Sequence, residues 1–166
     1  MVSAAIVHVI GTTALIAVLS IVLIYTSTTT YIMMQTNEKN NLQKITDSLA
    51  LQLNYLLKIN TNMSLRLQYP VEAIYGHKYN IYIGSGKALE QLIGEDLEDD
   101  GIYVLARDPS NNIYAYSFIT YNATTLPIIL EKDPAVFGST TLTLINKTLI
   151  QDFIYISIRV QGVIAK

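Results

Sequence analysis

Gly84-Ser85-Gly86-Lys87 is the stretch whose residue types come nearest to a chemical motif, because glycines beside a lysine can cradle a phosphate. The phosphate-binding loop also needs a glycine five residues before Gly86 and a Ser or Thr after the lysine. Those positions hold Ile81 and Ala88, so the segment is expected to be a flexible turn. Glu95, Asp96, Glu98, Asp99 and Asp100 form an acidic run before Gly101. A calcium loop needs carboxylates spaced to converge on one point. That spacing is absent, and a solvated loop is expected. His77 is the only histidine outside the apolar N-terminal segment, and no nucleophile motif surrounds it. The chain has no cysteine, which excludes disulfides and thiolate metal sites. No catalytic, cofactor-binding or metal-binding residue is assigned, and the chain is read as not an enzyme. Asn62-Met63-Ser64, Asn122-Ala123-Thr124 and Asn146-Lys147-Thr148 are acceptor sequons. Asn62, Asn122 and Asn146 are expected at strand ends and loops, where a glycan can attach.

The elements that must position these residues divide sharply by composition. Apolar residues make up 51% of the chain and charged residues 14%. Residues 1 to 37 contain no Asp, Glu, Lys or Arg, and Glu38 is the first charge. Val2 to Tyr25 is uncharged and predominantly apolar, longer than the about 20 residues a helix needs to cross a bilayer. A cleaved secretory signal has a basic start and a shorter apolar core, so this segment is expected to remain as a membrane-spanning helix. His8, Thr12, Thr13 and Ser20 lie within it. Hydroxyls can bond their own helix carbonyls, which makes them inexpensive in lipid. His8 is expected to be neutral and bonded locally. The small residues Ala4, Ala5, Gly11, Ala14 and Ala17 allow close approach of a second helix. Ala4, Gly11, Leu15, Leu19 and Val22 are taken as the helix assembly surface.

No Pro or Gly occurs between Gly11 and Pro70, so the helix is expected to continue from about residue 3 to 58. Any bend belongs at Thr26 to Thr30, where β-branched residues lower helix propensity. A helix running from about Val2 to Asn60 would span about 88 Å. From Leu42 the apolar residues Leu42, Ile45, Leu49, Leu53, Leu56 and Leu57 recur near a 3.6-residue period. That stripe must be buried either on the chain's own C-terminal domain or on equivalent helices of neighbouring subunits.

From Leu65 the period becomes two. Strands are expected at Leu65–Tyr69, Lys78–Gly84, Ile102–Ala106, Ile113–Tyr121, Thr141–Ile145 and Phe153–Val160. Arg107 to Asn112 reads as a hairpin turn and Lys87 to Glu95 as a short helix or turn. In the last strand Ile154, Ile156, Ile158 and Val160 are expected to face the core, with Phe153, Tyr155, Ser157 and Arg159 opposite. The fold class is α+β: a long hydrophobic helix over residues 1–62, then an antiparallel β-sandwich-like domain over 63–166. The formal net charge of −2 provides no basic face for nucleic acid.

This order of parts resembles the type IV pilins, and more narrowly the archaeal pilin and archaellum-like proteins with class III signal peptides. The resemblance is carried by Val2 to Tyr25 and by Tyr69 to Ile83, where Pro70, Gly76 six residues later and a Tyr-x-Ile pattern open the β-domain. It implies that a peptidase removes a short basic leader just before the apolar helix. It also implies a structural subunit of an extracellular filament on the cell surface, its helices forming the core and its β-domains the sheath. The implied partners are copies of the same chain, joined through the N-terminal helices, the plasma membrane before assembly, and envelope or S-layer proteins and glycans. The alternative is a single-span accessory protein, minor pilin-like or archaellum stator-like, whose β-domain binds an envelope component.

Overall fold

The computed structural model describes residues 4–72, 76–98, 101–120 and 126–163. Helix α1 is continuous over Ala4–Lys58 and passes through Thr26 to Thr30 without a break. Hydroxyl groups along the helix find their partners within it. Thr13, Ser20, Thr26, Thr28, Thr29 and Thr36 each donate to the carbonyl four residues back, at 2.8–2.9 Å. Each of these hydroxyls is thereby satisfied inside its own helix. Thr12 bonds the His8 carbonyl in the same way.

The remaining elements follow as β1 (Met63–Arg66), β2 (Asn80–Ser85), α2 (Gly86–Ile93), β3 (Ile102–Asp108), β4 (Ile113–Phe118), β5 (Ile128–Leu130), β6 (Ala135–Gly138), β7 (Thr141–Ile150) and β8 (Phe153–Val163). They form two four-stranded sheets, ordered β1-β7-β8-β5 and β4-β3-β2-β6. Neighbours are antiparallel except β5 and β8, which pair in parallel from Ile128↔Ile154 to Leu130↔Ile156. A turn over residues 109–112 joins β3 and β4 as the expected hairpin, with Arg107 and Asp108 paired in β3 and not in the turn. The expected end of β4 at Tyr121 lies outside the described residues. Strands β5 and β6 were not foreseen, since three or four residues flanked by Pro127, Asp133 and Pro134 are too short for a two-residue period to show.

The chain divides into two compact units, Met1–Asn37 and Glu38–Lys166. The second begins within α1, well before residue 63, because the later part of the helix is buried in the β-domain. Leu42, Ile45, Leu49, Leu53, Leu56 and Leu57 pack with Ile81, Val104 and Ala106 of one sheet and Ile145, Ile154 and Ile156 of the other. Burying each such side chain contributes about 1.5–3 kcal/mol before entropy, so the stripe together supplies on the order of 10 kcal/mol. Of the two destinations the sequence left open for this stripe, the chain's own domain is the one observed. Strand β3 is covered on both faces. Val104 and Ala106 join the main core, while Tyr103 and Leu105 pack with Leu89 of α2 and Leu97 in a second, smaller cluster.

One expectation in β8 is corrected. Ile154 and Ile156 are buried and Ile158 is half-buried against the core, but Val160 is exposed. Strand β5 pairs with β8 only as far as Ile156, so among the described residues the later part of β8 has no strand on that side. A bulge between Leu142 and Thr143 then shifts the register, pairing Leu142 with Gly162 and Thr143 with Val160. Tyr155 is half-buried and Arg159 exposed.

Candidate functional site

In the first unit, α1 carries an apolar surface that the described residues of the unit leave uncovered. Ala4, Gly11, Leu15, Leu19 and Val22 are all exposed, with Leu15 and Leu19 at 64% and 56%. Ile6, Val9, Ile10, Ile16, Ile21, Leu23, Ile24, Tyr25, Ile32 and Met33 are exposed as well, so the apolar surface runs round the helix instead of along one stripe. This is the one described helix long and apolar enough to cross a membrane. A methyl group added at Gly11 would meet nothing within 4 Å, so space for a close neighbour is open there.

The sequence motifs fall into place in the second unit. Gly84 and Ser85 end β2, and Gly86 and Lys87 begin α2, so the segment is a built strand-to-helix junction instead of a flexible turn. Asp133 pairs with the residue that caps α2. Its carboxylate accepts from the Ser85 amide at 2.8 Å and from the Ser85 hydroxyl at 2.6 Å. The glycines serve close packing: a Cβ at Gly84 would lie 2.7 Å from Asp133 Oδ1, and one at Gly86 would lie 2.2 Å from the Glu98 carbonyl oxygen. In the acidic run Glu95, Asp96 and Glu98 are exposed, and Asp99 and Asp100 lie outside the described residues.

Asn62 is exposed immediately before β1. Asn122 lies outside the described residues. Asn146 departs from the expected loop or strand end: it sits inside β7, half-buried, opposite both Ser64 and Ser157. Its side-chain oxygen accepts from the Ser64 hydroxyl at 2.7 Å, and that of Asn62 accepts from the Leu149 amide at 2.8 Å. The two sequons therefore run antiparallel on neighbouring strands.

The second unit also contains a polar cluster that sequence reading passed over. Glu38 comes from α1, His77 from the segment before β2, Asp108 from the end of β3 and Asn111 from the β3–β4 turn. Glu38 and Asp108 are 3% and 0% exposed, whereas the His77 side chain is 40% exposed. His77 Nδ1 lies 3.2 Å from Glu38 Oε1 and 3.2 Å from Asp108 Oδ2. The Asn111 amide nitrogen reaches Asp108 Oδ2 at 2.9 Å, Glu38 Oε2 at 3.3 Å and His77 Nδ1 at 3.0 Å. The Ser110 amide donates to Asp108 Oδ1 at 2.8 Å.

Burial raises the Glu38 carboxyl above the ordinary glutamate range, and its hydrogen bond with Asp108 pushes the same way against the pull of His77. Burial also pushes Asp108 up, but hydrogen bonds from Glu38, Ser110 and Asn111 and the charge of His77 outweigh it and hold Asp108 below its ordinary range. His77 is raised, chiefly by its hydrogen bond to Glu38 and despite burial. The arrangement favours an ionised Asp108 and a protonated imidazole, with Glu38 the more easily protonated carboxyl.

A sequence signal for the cluster existed. Glu38 lies four residues before Leu42, at the head of the stripe that continues through Ile45 and Leu49, so a charge was placed on a face destined for burial. Comparison with protein-family models, with curated proteins and with solved structures found no match to this chain.

Proposed function

We propose that the chain is a structural subunit of an extracellular type IV pilus-like filament, without enzymatic activity. In this reading it is inserted in the plasma membrane by the first part of α1. It then assembles with copies of itself through those helices, and the β-domains form the outer sheath. The observation that carries the reading is the uncovered apolar surface of α1 from Ile6 to Met34. An apolar surface of this size requires lipid or protein around it. A surface that is apolar on all sides suits both a bilayer and a bundle of equivalent helices, which the transfer from membrane to filament requires. Envelope or S-layer proteins and glycans would then meet the β-domain.

A second reading, a single-span accessory protein of the minor pilin or stator type, draws on a different observation. The later part of α1 is occupied by its own domain. The apolar length left free, Ile6 to Met34, is sufficient for a membrane anchor. Negative-stain microscopy of material shed from cells, with an antibody against the β-domain, separates the readings. Filaments decorated along their length support the subunit. Label confined to membrane fractions, with no decorated filament, supports the accessory protein.

A further inference from the structure

We infer that Glu38, His77 and Asp108 form a binding site for a divalent transition-metal ion of the zinc–manganese class, with the Asn111 side chain beside it. One ligand atom from each of the three residues lies within 4.8 Å of the others. Donor atoms around an ion with bonds of about 2.0–2.2 Å stand roughly 3.0–3.5 Å apart, from octahedral to tetrahedral geometry. The two 3.2 Å separations between His77 Nδ1 and the carboxylate oxygens fall inside that range.

The hydrogen bonding alone leaves the cluster in conflict. His77 Nδ1 carries at most one hydrogen, yet it lies within hydrogen-bond distance of two carboxylate oxygens and of an amide nitrogen that can only donate. If Nδ1 donates to a carboxylate, it has no lone pair for Asn111. If it accepts from Asn111, it serves neither carboxylate. A cation among the three takes a lone pair from each, and the Asn111 amide, turned about its last torsion, offers its oxygen. Charge favours the same conclusion. Among the described residues, His77 is the sole ion-pair partner of two buried carboxylates. The Ser110 amide holds Asp108 Oδ1 and leaves Oδ2 facing the cluster, as outer hydrogen bonds do for a ligating carboxylate. The partly exposed imidazole gives an ion access from solvent.

The donor set selects the ion. Calcium and magnesium prefer all-oxygen shells, whereas one imidazole with two carboxylates suits zinc, manganese or cobalt. Within the second unit the ion would tie α1 to the segment before β2 and to the end of β3, a structural role independent of filament assembly.

The test uses the tag-free full chain in detergent, stripped with a chelator and titrated with Co²⁺ and Zn²⁺. The expected result is one equivalent bound per chain, a Co²⁺ visible spectrum displaced by Zn²⁺, and a melting temperature that rises with Zn²⁺ concentration. His77→Gln, at a half-exposed position, should keep its circular dichroism spectrum and lose at least about tenfold in affinity. His8→Gln, at the only other histidine, should change nothing. Absence of binding, equal binding by folded His77→Gln, equal competition by Ca²⁺ or Mg²⁺, or a melting temperature indifferent to Zn²⁺ would each overturn the proposal.

Discussion

At the scale of single residues, Lys147 settles how α1 ends. It lies in β7, 2% exposed, and its ammonium donates to the carbonyls of Leu56 at 3.1 Å, Leu57 at 2.9 Å and Ile59. A helix leaves its last carbonyls without partners, and here one buried lysine serves them. Lys147→Met keeps the length of the side chain but leaves those acceptors unpaired, so it should cost about 2–3 kcal/mol in denaturant unfolding followed by tyrosine fluorescence. Stability equal to the wild type would show that the lysine is not the cap. Burial lowers the Lys147 pKa below that of the unfolded chain. Between the two values the unfolded state binds more protons, so this contribution to stability increases as pH rises through that alkaline window. Buried Tyr79 titrates in the opposite sense but is common to both proteins. The wild type should therefore gain on Lys147→Met as pH rises, which unfolding curves at a series of alkaline pH values would measure. Elsewhere in the domain, Ile156 is buried at the contact of β8 with the main core, and Ile156→Ala should cost about 2–4 kcal/mol. A loss below about 1 kcal/mol would mean that the site collapses around the smaller side chain.

At the scale of elements, the boundary that matters lies inside α1. Chains beginning at residue 38 and at residue 63 test it. The first keeps the Leu42 to Leu57 stripe and should be soluble, give a mixed helix and sheet circular dichroism spectrum and unfold cooperatively. The second exposes the residues that stripe covers and should aggregate or lack a cooperative transition. If the shorter chain folded equally well, the stripe would not belong to the core. The sequence made the helix legible from Ala4 to Lys58, because an uncharged run and then a 3.6-residue apolar period continue with no Pro and, after Gly11, no Gly. It also made the stripe legible, but not its destination, since any apolar surface can satisfy an apolar face. Six strands were legible from their period and their turns, and α2 only as a segment that is either a short helix or a turn. Strands β5 and β6 were not, being shorter than the period that reveals a strand. The exposure of Val160 depends on where β5 ends, a long-range fact that alternation within β8 does not contain. The polar cluster was illegible for a similar reason: Glu38, His77 and Asp108 meet only after α1 docks on the sheets. The single local sign was a charge placed in phase with the apolar stripe.

At the scale of the whole molecule, the proposal depends on what surrounds the first part of α1, and a charge placed there distinguishes the candidates. Leu15 and Leu19 lie one turn apart on the exposed helix. In a filament core built from equivalent helices, a lysine at position 19 would be buried without a partner of opposite sign. Such burial costs several kcal/mol even after relaxation. Because every subunit carries the same substitution, the penalty repeats along the polymer and no neighbour relieves it. In a lone anchor the cost is smaller, about 3 kcal/mol for one central charge in a long apolar span, and the side chain can bend toward the interface. Leu19→Lys should therefore abolish filaments while some subunit remains in the membrane fraction. Microscopy for filaments, beside fractionation with an antibody against the β-domain, reads both outcomes in one preparation. Normal filaments from Leu19→Lys would rule out a polymer cored by this helix. If wild-type cells carry the protein in membranes and no filaments at all, the surface from Ile6 to Met34 serves lipid alone, and the accessory reading replaces the subunit.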